Sequence, residues 1–316
     1  MRQMARLRTY SIHIRKQPFS MTAAPDFSID QAFEVLGAPG QQFPFVLSSP
    51  HSGRHYPERF LAMSRLDRNA IRRSEDSFVD ELFAGAMALG APMLAAHFPR
   101  AYLDVNREPW ELDPRMFAEP VPPFCNIRSP RVAGGLGTVP RIVGEGQDIY
   151  LRRLPLQEAV SRIDGIYKPY HEQLKRLLAM THRRFGYAVL IDCHSMPASI
   201  RVGESGIRPD FIVGDRFGTS AAAALTGCTI DTLAAMGYRV VHNKPYAGGF
   251  ITEHYGRPAE GLHAIQIEVN RGLYMNERTF EKSDGFLELA DDLTALVARL
   301  MEMPPALFTP LPLAAE

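Results

Sequence analysis

The chain of 316 residues holds only three cysteines and one tryptophan. Cys125, Cys193 and Cys228 stand far apart, in neither a C-x-x-C pair nor an even set, which excludes a disulfide framework and suits a reducing cytoplasm. Net charge is lacking too. Lys+Arg and Asp+Glu number 35 each, so no overall field favours nucleic acid or an anionic bilayer as a partner. The uncharged stretch Leu82 to Ala96 is too short for a membrane span and is broken by Gly85, Gly90 and Pro92; it reads as a helix end followed by a strand. Gly134-Gly135-Leu136-Gly137 has neither dinucleotide nor Walker spacing, and Ser52 and Ser195 lie outside any G-x-S-x-G elbow, which sets aside a phosphate loop and a serine hydrolase. What remains, 46% hydrophobic and 22% charged, is an ordinary globular balance.

What is present is organised around one stretch. Tyr187-Ala-Val-Leu-Ile-Asp192-Cys193-His194-Ser195-Met196-Pro197 reads as a strand buried on both faces, as in a parallel sheet covered by helices, and it ends in groups able to bind metal or move protons. Alternate residues of a strand share a face, so Asp192 and His194 project together and the acid can bind or orient whatever the imidazole touches. In such sheets ligands bind beyond the carboxyl ends of the strands.

The surroundings repeat that pattern. Phe43 to Ser49 reads as a strand, so His51, in the loop Pro50 to Pro57, also follows a strand end. Glu75 to Leu89 has helical spacing, with Ser74 as N-cap and Glu75 and Asp76 in a first turn where the macrodipole alone favours acids. Pro92 to His97 and Ala101 to Val105 read as two strands, either a hairpin or one strand broken at Pro99. Pro109 to Gly146 is irregular and rich in Pro and Gly, the texture of a binding loop or lid. Leu154 to Phe185 is an amphipathic helix interrupted at Pro169, with His171 and His182 facing solvent. Asp210 to Gly214, Thr219 to Met236 and Tyr238 to His242 follow a βαβ rhythm, and Gly248 and Gly249 allow close backbone approach to a ligand. Ala264 to Arg271 is the last strand and Asp284 to Met303 the closing helix. The fold expected is α/β, a single-domain three-layer sandwich with a mostly parallel mixed sheet over residues 25–304. Residues 1–24, basic and changing texture at Met21, are expected to be a disordered leader or a mis-called start, and 305–316 a Pro-rich tail.

Two strand ends carry nearly the same phrase, Asp104-Val-Asn-Arg107 and Glu268-Val-Asn-Arg271. In each, an acid and an Asn two apart share a face and an Arg enters the loop. Two His and one carboxylate suffice for a catalytic Zn²⁺ or another divalent ion with an open position. Such an ion polarises a carbonyl and acidifies water. Glu268 suits the general base, and Arg107 an oxyanion stabiliser or a bidentate clamp on a carboxylate. Asn106, Arg107, Ser195, Gly248, Gly249, Asn270 and Arg271 are the candidate substrate contacts. Together they describe metal-assisted amide hydrolysis of a small anionic substrate.

Ser49-Pro-His-Ser-Gly53, Asp76-Ser-Phe-Val-Asp-Glu-Leu82, Asp104-Val-Asn-Arg107, Ile191-Asp-Cys-His-Ser-Met196, Pro245-Tyr-Ala-Gly-Gly249 and Gln266-Ile-Glu-Val-Asn-Arg271 resemble, in order, the N-formylglutamate amidohydrolase family. The resemblance implies a zinc-carboxypeptidase-like domain, a divalent metal, and cytoplasmic deformylation of N-formyl-L-glutamate in histidine breakdown. It matches His51, Asp76 and His194 to the metal ligands and Glu268 to the base. His51 and Asp76 depart from the compact H-x-x-E of carboxypeptidases, which leaves Glu75, Asp104 and Asp192 as competing third ligands. An N-acyl-amino-acid hydrolase for a larger acyl group and a non-enzymatic metal or small-molecule binding module are the alternatives. Metal identity and oligomeric state are not legible.

Overall fold

The computed structural model describes residues 27, 29–37, 40–204 and 206–309; residues 1–24 and the end of the tail lie outside them. Seven strands form the main sheet: β1 (Phe33–Leu36), β2 (Phe45–Ser49), β3 (Met93–Ala96), β4 (Ala188–Met196), β5 (Phe211–Gly214), β6 (Val240–His242) and β7 (Leu262–Asn270). Their spatial order is β1-β3-β2-β4-β7-β5-β6. β3, β2, β4 and β7 run parallel, β1 lies antiparallel at one edge, and the parallel pair β5 and β6 meets β7 antiparallel at the other. This is the mostly parallel mixed sheet that the strand patterns predict. The longer helices are α1 (Leu156–Arg162), α2 (Lys168–Phe185), α3 (Ala223–Ala235), α4 (Phe250–Tyr255) and α5 (Phe286–Met301).

Alternation along β4 and β7 decides which groups meet. Val189, Ile191, Cys193, Ile265 and Ile267 enter the core that they share with Leu225 and Leu233 of α3 and Leu289, Leu293 and Leu296 of α5. Ala188, Leu190 and Ala264 enter the opposite core, with Ile163, Tyr170 and Leu174 from the helical stretch of α1 and α2. Each buried aliphatic side chain of this size contributes roughly 1.5–3 kcal/mol. A one-residue slip would turn all of them to the wrong face, so the register is strongly specified. On the face of Ala188 and Leu190 the same parity continues into Asp192 and His194, and after Ala264 into Gln266 and Glu268. On this face polar groups replace apolar ones only toward the carboxyl ends of the two strands.

Three elements differ from the sequence expectations. Glu75 to Leu89 is not one helix. Glu75 is gripped by Arg72, Tyr56 and Ser77, Phe78 takes a left-handed φ of 64°, and only the short helices Val79–Leu82 and Ala84–Ala88 follow. Ser74 closes a 3₁₀ turn instead of capping a helix. Buried partners for Glu75, Asp76 and Ser77 override the local helical preference. Ala101 to Val105 is not a strand either: Tyr102 and Leu103 both donate to the Pro99 carbonyl in a turn, and their apolar character reflects burial. Finally, His171 does not face solvent. Its Nδ1 pairs with the Tyr255 hydroxyl at 2.9 Å and its Nε2 with the Val105 carbonyl at 2.8 Å, and burial pushes its pKa down to about 4. The interruption expected at Pro169 is a π turn over Ile163–Tyr167, which leaves Pro169 in the first turn of α2.

Among the described residues no helix is long and apolar enough to cross a membrane. Phe308, in the tail, is buried and stacks on Tyr187.

The core under α1 contains a charge. Arg162 is fully buried, stacked 3.9 Å from the centroid of Tyr102, and its Nη1 donates to the Tyr102 carbonyl and the Tyr150 hydroxyl. Arg162→Leu strips these acceptors of their donor and Glu158 of one cation. The expected cost is roughly 3–5 kcal/mol, read as a lower urea midpoint with an unchanged slope.

Candidate active site

His51 lies two residues beyond β2, on a loop drawn tight because Gly53 packs onto backbone: a Cβ there would stand 2.1 Å from the Phe98 carbonyl oxygen. His194 is on β4, and Asp76 sits in the extended segment whose backbone N–H donates to the His51 carbonyl at 3.0 Å. These three meet. The two Nδ1 atoms are 3.2 Å apart, and Asp76 Oδ2 is 3.0 Å from His194 Nδ1 and 3.4 Å from His51 Nδ1.

The outer nitrogens meet carboxylates, and that of His51 fixes its tautomer. His51 Nε2 lies 2.8 Å from Asp104 Oδ1. Burial opposes ionisation of Asp104, but Arg107, Arg100 and His51 outweigh it and hold its pKa well below the ordinary value, so the carboxylate accepts and the ring nitrogen donates. His194 Nε2 lies 2.9 Å from Asp192 Oδ2. The Asn106 amide is oriented by its Oδ1, which accepts from the Ile251 N–H at 2.7 Å; its Nδ2 then donates to Asp192 Oδ2. His51 thus turns its Nδ1 lone pair inward, toward His194 Nδ1 and Asp76 Oδ2, while His194 Nε2 stands between Asp192 Oδ2 and, at 3.0 Å, Asn106 Nδ2. Burial disfavours the charged form of His194, yet Asp192, Asp76 and Glu268 raise its pKa well above normal.

Donor atoms held 2.0–2.1 Å from a tetrahedral zinc stand about 3.3 Å from one another, which matches the spacing here. The residues fit a divalent cation, and the three form a group whose ligand atoms lie within 4.8 Å of one another. Asp104 and Asp192 sit behind the imidazoles, and Glu75 is turned toward Arg72 and Tyr56. Asp76 Oδ1 is separately held by the Ser195 hydroxyl and by Arg271 Nη2, each at 3.0 Å.

Glu268 is paired with His194 in the β4–β7 register. Its Oε1 accepts from Gln266 Nε2 at 2.8 Å, and its other oxygen has no hydrogen-bond partner among the described residues. Burial first, then Asp76, push its pKa up to about 7 against the pull of His194, Arg100 and Arg271. A carboxylate so placed can take a proton near neutral pH.

A cleft of about 650 Å³ opens over this cluster, with His51, His194, Ser195, Asn106, Arg107, Glu268 and Arg271 in its lining. Gly248 and Gly249 line it too; a Cβ on Gly249 would stand 2.4 Å from the Asn106 amide. Leu136, Ile142 and Gly144 of the irregular insertion form part of the wall, the position expected of a binding loop. Asn270 stays outside, its side chain spent on the Pro209 carbonyl and the Gly272 N–H. Only one of the two Asn-Arg phrases ends a strand, since Asp104 lies in the loop after the turn at Pro99. Sequence reasoning missed Arg100, Arg131, Arg216, Tyr246 and Gln266, all in the lining. For Gln266 a signal existed: it is two residues before Glu268 and shares its face. The arginines come from loops and one short helix that no periodicity connects.

The family description N-formylglutamate amidohydrolase matches residues 43–275. The chain belongs to the N-formylglutamate amidohydrolase family. Among curated relatives, an N-formylglutamate deformylase of Pseudomonas putida is 32% identical, over 77% of this chain and 86% of its own length. One of Pseudomonas aeruginosa is 29% identical, over 85% and 95%. A crystal structure of N-formylglutamate amidohydrolase from Ralstonia eutropha superposes with a TM-score of 0.80 at 34% identity, covering 86% of this chain and 98% of that one. The family match spans β2 through β7 and therefore the whole His-Asp-His cluster and Glu268.

Removal of either imidazole should abolish tight metal binding. His51→Ala and His194→Ala are expected to leave the column with little zinc by emission spectroscopy, and Asp192→Asn to weaken affinity roughly 10–100-fold in a chelator competition. Full occupancy in both alanine variants would place the metal elsewhere.

Proposed function

We propose that this protein hydrolyses the formyl amide of N-formyl-L-glutamate to formate and glutamate, with a divalent metal, zinc in the first instance, held by His51, Asp76 and His194. The observation that carries the reading is the convergence of three ligand atoms, backed by outward carboxylates, beside a carboxyl group poised near neutrality. The family membership and the names of the relatives support the substrate. When bound, the cation supplies Lewis-acid polarisation of the formyl carbonyl and makes water acidic enough to ionise near pH 7.

The chain's own residues do the rest. Glu268 accepts the proton of the attacking water as its oxygen adds to the formyl carbon. The same carboxyl group then returns that proton to the amide nitrogen as the C–N bond breaks, so the amine leaves neutral. Arg107, whose Nε and Nη1 are spent on the Leu136 and Asn106 carbonyls, contributes its field and not a free fork to the charge that develops on the formyl oxygen. Arg271 is occupied by Asp76 and Ser195 and acts mainly by holding the metal ligand still; it contributes its field, more than a free fork, to the substrate's α-carboxylate. The three free cysteines fit a reducing cytoplasm, where histidine breakdown yields this substrate.

The purified protein, loaded with zinc, should release formate and glutamate from N-formylglutamate in excess of its release of acetate from N-acetylglutamate. Turnover of the acetyl compound alone would redirect the reading to a larger acyl group. Glu268→Gln keeps size and hydrogen bonding but not the base, and should retain metal while kcat falls roughly 10²–10⁴-fold. Loss of metal in this variant would make Glu268 a ligand. Activity requires the deprotonated carboxylate, so kcat/KM rises with pH and loses its rate as pH falls below about 7. The bound cation moves that limb to lower pH, and Glu268→Gln should flatten it.

A further inference from the structure

The cations of the cleft are committed to the protein, with one exception among the described residues. Arg107 gives Nε to the Leu136 carbonyl and Nη1 to that of Asn106, both at 2.8 Å. Arg100 is paired with Asp104, Arg216 with Glu253 and the Gly248 carbonyl, and Arg271 with Asp76 and Ser195; Arg73 reaches Gln147. The guanidinium of Arg131 has no hydrogen bond or ion pair with any described residue, although it lines the same cleft and is largely shielded from solvent.

Its backbone, by contrast, is held. Arg131 lies in the short helix Pro130–Ala133, where Ser129 Oγ accepts from the Val132 N–H at 3.0 Å. The Arg131 carbonyl accepts from Leu136 N–H at 2.8 Å, and the Leu136 carbonyl is the acceptor for Arg107. One residue thus ties both arginines to the same wall. The proximity is felt in Arg107, whose pKa is lowered to about 10 by burial and, further, by Arg100 and Arg131. Two neighbouring guanidiniums, one without a counter-ion, make a place that a carboxylate would complete with charge-assisted hydrogen bonds.

Resting on the function proposed above, we infer that Arg131 binds the side-chain carboxylate of the substrate and sets the preference for an acidic N-formyl amino acid. The α-carboxylate is attached to the carbon that bears the scissile nitrogen, so it must stay beside the metal cluster, where Arg100 and Arg271 act on Glu268. The side-chain carboxylate of glutamate is two methylenes farther out. Arg131 stands on the insertion, on the wall that Leu136 joins to Arg107, and pairs with none of His51, Asp76 or His194.

The test compares N-formyl-L-glutamate with N-formyl-L-norvaline, which has the same chain length without the carboxylate. In Arg131→Gln, kcat/KM for the glutamyl compound should fall roughly 10–100-fold, mostly through KM, while the norvalyl compound changes less than about twofold. Arg131→Lys, which keeps the charge but loses the fork, should show a smaller loss confined to the glutamyl compound, and it carries the same comparison if the Gln variant does not fold. Equal losses on both compounds, or no loss on either, overturn the assignment. Wild-type protein that releases no formate from N-formylglutamate overturns the functional reading itself, a result separable from active wild type with an indifferent Arg131.

Discussion

The site depends on a single buried carboxylate. Asp76 presents one oxygen to two imidazoles and the other to Ser195 and Arg271. Burial resists its ionisation, but hydrogen bonds and positive charge from His194 and His51, where the inner nitrogens carry a proton, outweigh that and keep its pKa well below the ordinary carboxylate range. A charge taken out of water costs several kcal/mol unless its partners are well placed, so every element that supplies a partner is constrained at once. The loop after β2, the end of β4, the end of β7 and the segment between Arg72 and Phe78 all meet there. Short helices in place of the long one expected from Glu75 are a local consequence of that demand.

A second ring of acids repeats the principle. Asp104 and Asp192 lie behind the imidazoles; Asp104 is paired with Arg100, and Asp192 Oδ2 accepts from Asn106 while its Oδ1 is buried without a hydrogen-bond partner among the described residues. The ring makes the inner nitrogens better electron donors and denies them rotation. Asn106 is also seated by the Ile251 N–H at the start of α4 and faces Gly249 at van der Waals limits, which joins the glycine loop to the imidazole chemistry through one amide.

Much of this was legible in the residue order. The apolar body of β4 and its polar end, the position of His51 after a strand, the βαβ rhythm from Phe211 to His242 and the same-face relation of Asp192 and His194 all follow from period-two alternation and turn chemistry. Asp76 was harder to place. Its local context, an acid before an amphipathic run, is what a helix N-terminus looks like, and only partners distant in sequence reveal that the segment is extended. Ala101 to Val105 misled for the converse reason: β-branched and aromatic residues mark burial as well as strands. Arg100, Arg131 and Arg216 of the cleft left no pattern, because positions brought together only by tertiary contact carry no periodicity.

β4 and β7 are paired over nine consecutive positions, with His194 directly beside Glu268. Neighbouring strands lie about 4.8 Å apart, so the spacing between that imidazole and that carboxyl is inherited from the ladder and no side-chain motion or loop closure has to create it. Stiffness of this kind separates two kinds of evolutionary freedom. His194 and Glu268, the groups proposed to act on the scissile amide, are carried by the sheet, where a small shift would unzip the core on both faces. The wall built from the insertion can be lengthened, shortened or recharged without disturbing them, so substrate range can drift across relatives while the bond-breaking geometry stays fixed.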